Sequence, residues 1–146
     1  MSPDYITPKG TRTSIETLRA SKAKSLAEIL SREALDFAVL VECYVDDSSD
    51  VVVFDVAIEV PQLRKNPINS RERVAAVFAL QDDRAPEVLA LRPDFPRVPH
   101  LNLVENEFPR SLCLYEELYR DLKSRWTAQR FVERVRQWLA LTAKGL

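Results

Sequence analysis

The chain has 146 residues, 46% of them apolar, and its 21 basic and 22 acidic side chains leave a net charge of −1. That length supports one domain with a real core and is too short for two ordinary ones. Balanced charge argues against nucleic acid or an anionic membrane as main partner, no apolar run approaches the ~20 residues of a bilayer span, and the N-terminus lacks a secretory pattern, so a cytoplasmic location is expected.

Residues 1–12 are rich in Pro, Gly and Thr, which predicts a loose N-terminal arm ahead of a single domain over 13–146. From about Thr13 to Leu35 the apolar positions Ile15, Leu18, Leu26, Ile29 and Leu30 follow helical spacing. Ser25-Leu-Ala-Glu28 has the form of a capping box, so either one continuous helix or a break near Lys24 fits. Phe37 to Val45 alternates as a strand, with Phe37, Val39, Val41, Cys43 and Val45 on one face and Glu42 and Tyr44 on the other. Asp46-Asp-Ser-Ser-Asp50 reads as a turn. Val51–Val60 and about Arg73–Leu80 read as second and third strands, and Val88–Leu91 as a short fourth. Short connections between them predict an antiparallel meander. Pro93, Pro96, Pro99 and Pro109 then argue against helix and regular pairing. Helical pattern returns after the plausible N-cap Thr127. Phe131, Val135, Trp138, Leu139 and Thr142 form its apolar stripe, and Gly145 is placed to end it. The expected class is α+β, with helices flanking one antiparallel sheet.

Chemistry narrows by elimination. The only glycines are Gly10 and Gly145, so no glycine-rich phosphate loop exists and the domain is not expected to activate anything with ATP itself. One histidine, and two cysteines seventy positions apart, make neither a metal site nor a CxxC pair; no cofactor or metal is expected. What remains is cysteine chemistry or none. Cys43, mid-strand among valines, reads as a small core residue. Cys113 lies beyond the prolines, with Arg110 three positions before it; a nearby cation favours the thiolate, while an ordinary half-buried cysteine fits the same pattern. His100 beside Pro99 fits a loop pin, Asn102 a loop amide, and Trp126 and Trp138 core aromatics.

Taken together, Leu91-Arg-Pro-Asp-Phe-Pro-Arg-Val-Pro-His-Leu-Asn102, Leu112-Cys-Leu-Tyr-Glu116 and Trp138-Leu-Ala-Leu-Thr-Ala143 resemble the ubiquitin-conjugating (UBC-like) fold. They are most similar to its divergent prokaryotic branch, whose members are encoded or fused with ThiF-like activating domains and JAB-type isopeptidase domains, often in anti-phage loci. Pro99-His100-Leu101-Asn102 looks like a rearranged His-Pro-Asn motif, with proline before the histidine and Asn102 eleven positions ahead of Cys113. The resemblance covers roughly residues 35–146. It implies an N-terminal helix, a four-stranded meander, a proline-rich crossing segment and C-terminal helices.

What the resemblance implies for function is acyl transfer. Cys113 would accept the C-terminal carboxyl of a ubiquitin-like modifier or protein from a ThiF-like activating enzyme as a thioester, then pass it to an amine. Asn102 would donate to the oxyanion, and His100 would hold the Asn102 loop. No nucleic acid or membrane partner is implied. Two rivals predict otherwise. A non-catalytic UBC- or RWD-like binding module would bury or ignore Cys113, and an unrelated α+β regulatory domain would have no activating partner. The chain stops just past a helix end, which allows it to be one domain of a longer protein.

Overall fold

The computed structural model describes residues 4–102 and 109–146. Among these, seven strands form one sheet: β1 (Thr11–Thr13), β2 (Ala38–Val45), β3 (Ser49–Ala57), β4 (Arg71–Ala79), β5 (Glu87–Ala90), β6 (Leu101–Asn102) and β7 (Arg110–Leu112). Their spatial order is β1-β2-β3-β4-β5-β7-β6, and every neighbouring pair is antiparallel. Three α-helices accompany it: α1 (Ser21–Ser31), α2 (Tyr119–Leu122) and α3 (Ala128–Lys144). The α+β class holds, whereas the expected four strands are the middle of a wider sheet.

The main core lies between the sheet and helices α1 and α3. Leu26 and Leu30 of α1 and Phe131, Val135 and Leu139 of α3 pack there against Val52, Phe54, Val74 and Phe78. The stripe read from the sequence is thus the buried face of α3. Thr127 caps that helix through Oγ1, which accepts from the Arg130 amide, and Gly145 ends it in the left-handed region at φ +83°. No helix among the described residues is long and apolar enough to cross a membrane.

The start of α1 is decided by a residue thirty positions away. Neither Ala20 nor Ser25 caps it; instead Asp50 of β3 accepts from the Arg19 and Ala20 amides at 2.6 and 2.7 Å. The chain before it forms a separate 3-10 turn over Ile15–Thr17. The break in the predicted helix therefore falls before Ser21, and α1 runs through Ser25 without interruption.

One further expectation is corrected. In β2 the register slips between Leu40 and Glu42, so Val41 bulges and faces the outer side of the sheet while Cys43 faces the main core. One inserted residue reverses the alternation upstream of it. On the outer face Tyr5 and Ile6 pack with Tyr44, Val51, Val53 and Leu91. The Ile6 amide donates to the Leu91 carbonyl at 2.8 Å, and the Tyr5 ring lies 4.2 Å from the Arg73 guanidinium. Apolar residues on that face need a cover, which only three-dimensional proximity reveals. Residues 1–3 of the arm lie outside the described residues.

The proline-rich stretch is irregular from Leu91 to His100, as its prolines dictate. Pairing resumes after it, contrary to expectation, because Leu101 and Asn102 lie between Pro99 and Pro109 and need satisfy only one strand edge. The stretch is anchored by Arg92, whose Nε and Nη2 donate to the two carboxylate oxygens of buried Glu72 at 3.0 and 2.7 Å.

Candidate active site around Cys113

Cys113 directly follows β7. Its amide donates to the His100 carbonyl at 2.9 Å, extending the β6–β7 ladder by one bond. His100 is exposed and sits in the left-handed region at φ +65°. This conformation reverses the chain out of the proline stretch and turns the His100 carbonyl toward Cys113. Asn102 lies opposite Ser111, and its Nδ2 donates both to the Ser111 Oγ at 3.0 Å and to the Leu112 carbonyl at 3.2 Å. The single peptide group joining Leu112 to Cys113 is therefore held at both ends, its oxygen by the Asn102 amide and its N–H by His100.

All three residues singled out from the sequence thus converge here. The separation of eleven positions between Asn102 and Cys113 is bridged because Asn102 pairs with Ser111 across β6 and β7, and Cys113 follows β7 directly. Ser111, fully buried beneath Asn102, was not among the expected residues; a serine between Arg110 and Leu112 carries no local signal of such a role. Arg110, expected as a cation near the thiol, uses its Nε to donate to the Phe95 carbonyl at 2.9 Å and so ties β7 to the proline stretch. Phe95 in turn stacks on Trp138 of α3, with centroids 6.4 Å apart.

The two thiols differ in environment. Cys113 is half-buried, whereas Cys43 is buried between Thr13 and Val52 in the sheet. Burial, followed by the negative charges of Asp50 and Glu42, pushes the Cys43 thiol from 9.0 up to about 11. The folded state holds this group as neutral thiol while the unfolded chain ionises first. Its stabilising contribution is present below pH 9 and disappears as pH rises toward 11. Iodoacetamide at about pH 8 is expected to label only Cys113 in the native protein, with Cys43 labelled once urea unfolds it; peptide mass analysis reads both sites.

Four cavities in the surface do not contain the site. A groove of about 680 Å³ runs between α3 and residues 59–61, and the smaller cavities lie beside Asp82, Phe37 and Trp126; neither Cys113, His100 nor Asn102 lines any of them. The thiol stands just past the end of β7, outside these four cavities. Among the described residues no group of three or more His, Cys, Asp or Glu side chains is placed to hold a metal ion.

Fold and site together define an α+β domain that presents one half-buried cysteine, held from the backbone, at the far side of an antiparallel sheet. Residues 38–146 match prokaryotic E2 family A, and the chain belongs to that family. The membership supports an E2-like conjugating function. No curated protein and no solved structure matches the chain.

Proposed function

We propose that the domain is a cysteine-dependent conjugating transferase of UBC-like architecture working in a bacterial, defence-type modification system in the cytoplasm. Cys113 attacks the adenylated C-terminal carboxyl of a ubiquitin-like modifier or target protein presented by a ThiF-like activating enzyme. The thiol gives up its proton to solvent, AMP leaves, and a thioester forms on Sγ. An amine then attacks the thioester carbonyl, the C–S bond breaks, the amine loses a proton, and an isopeptide or peptide bond remains with Cys113 returned as thiol. ATP is consumed by the partner, in keeping with the missing glycine-rich loop.

The observation that carries this reading is the clamped Leu112–Cys113 peptide, built by the same His100 and Asn102 that the motif singled out. A thiol at a strand end suits a substrate that brings its own extended tail. In the oxyanion role, Asn102 would turn one amide hydrogen from the Leu112 carbonyl or Ser111 to the developing charge, a donor worth ~3 kcal/mol. His100 contributes its carbonyl and its backbone conformation.

The test is thioester capture. With an activating partner, ATP and modifier, wild type and Cys43→Ala are expected to form an adduct that reducing agent removes, and Cys113→Ala none. An active partner without any adduct on wild type would leave the non-catalytic binding module as the better reading. His100→Gly is a finer check. Glycine adopts positive φ freely and keeps the carbonyl, so adduct yield should stay within about threefold and the melting temperature should hold or rise. Loss of the adduct in this variant would assign chemistry to the imidazole.

A further inference from the structure

We infer that Arg134 is a positioning residue for Cys113, an inference that rests on reading Cys113 as the acyl carrier. Residues 113–118 carry neither strand nor helix, so no ladder fixes the chain after the thiol. Arg134 of α3 replaces it. Its Nε and Nη2 both donate to the Leu114 carbonyl, at 3.0 and 2.8 Å. Its guanidinium lies 5.0 Å from the Tyr115 ring, and Nη2 is 3.6 Å from Glu117 Oε1. One side chain therefore holds a carbonyl, a ring and a carboxylate within four consecutive residues.

The anchor stands on a packed helix, with its side chain 43% exposed. Arg134 lies between buried Val132 and Val135, on a helix capped at both ends and packed on the sheet. Upstream, the Leu112 carbonyl is held by Asn102; downstream, the Leu114 carbonyl is held by Arg134. Cys113 is confined between two fixed carbonyls, which limits the directions available to Sγ. A thioester must offer one face of its carbonyl to the incoming amine, and misplacement by about 1 Å costs on the order of 10²-fold in rate. The forked, flat geometry explains why arginine stands here: lysine keeps the charge but cannot donate twice in one plane or stack as well on Tyr115.

The test uses the whole domain and three readouts on wild type, Arg134→Lys and Arg134→Gln: iodoacetamide labelling of Cys113, amide hydrogen exchange over residues 113–118, and single-turnover transfer from the loaded thioester to free lysine. Arg134→Gln is expected to raise labelling and local exchange about tenfold while lowering transfer at least tenfold, with Arg134→Lys between the two. Buried Cys43 is the control: plain loss of stability raises its labelling too, whereas a local effect on residues 113–118 leaves it at the wild-type rate. Arg134→Lys keeps the comparison open should the glutamine variant fold poorly. Labelling and exchange unchanged in both variants would overturn the inference. If wild type accepts no modifier, the transfer reading falls, while labelling and exchange still decide whether Arg134 fixes the cysteine.

Discussion

Arg92→Ala is expected to destabilise the domain by ~3–5 kcal/mol. The reason is the residue it abandons. Glu72 is only 1% exposed, and its carboxylate receives two guanidinium N–H groups and the Asn69 amide. Removing Arg92 leaves that charge buried with a single backbone donor. It also frees the Pro67 carbonyl and the Asp94 contacts, so the proline stretch loses its main anchor. Urea denaturation should show the loss as a lower midpoint with a similar slope. Replacing both partners with apolar residues, as in Glu72→Met with Arg92→Met, should cost clearly less than Arg92→Ala alone, because no unpaired charge remains. A double variant as unstable as the single would show that packing, and not charge burial, carries the effect. The same chain of contacts reaches the candidate site: Phe95 leans on Arg92, Arg110 donates to Phe95, and β7 leads directly into Cys113.

Asp50→Ala should cost about 3 kcal/mol, through a different mechanism. Asp50 is fully buried and accepts the Arg19 and Ala20 amides that lead into α1. Alanine leaves both donors without their partner in the protein. The ion pair with Arg19 adds less, since that guanidinium is 43% exposed and water can replace its partner. Asp50→Asn should fall between alanine and wild type: the amide oxygen still accepts, but the charge is gone and one of the two acceptors becomes a donor. Chemical denaturation measures the loss, and helical circular dichroism should fall with it if the entry to α1 frays. A change below about 0.5 kcal/mol in Asp50→Ala would mean that the amides find other acceptors.

These two side chains also show where sequence reading stops. Asp50 stands in a run of turn residues and Glu72 between two arginines, and both settings are those of solvated charges. Their burial depends on partners twenty to thirty positions away. Asn102 was legible as a motif residue, but the commitment of its amide to Ser111 and Leu112 was not, because that follows from which residues face each other across β6 and β7.

By itself the sequence determined the features whose physics is local. Thr127 and Gly145 bound α3 because a cap hydroxyl and a left-handed glycine act within one helical turn. The tight turn between β2 and β3 over residues 46–48 forms because the Asp46 carboxylate accepts from the Ser48 and Ser49 amides, although the predicted turn ran on to Asp50, which lies in β3. The contrast between Cys43 and Cys113 follows from a β-branched neighbourhood set against a proline-bounded one. Tertiary structure alone decided the bulge at Val41, the docking of Tyr5 and Ile6, the cap of α1, the pairing of β6 with β7 and the grip of Arg134 on Leu114. Each of these joins groups distant along the chain, and such a contact leaves no periodicity or spacing in the sequence for local reasoning to find.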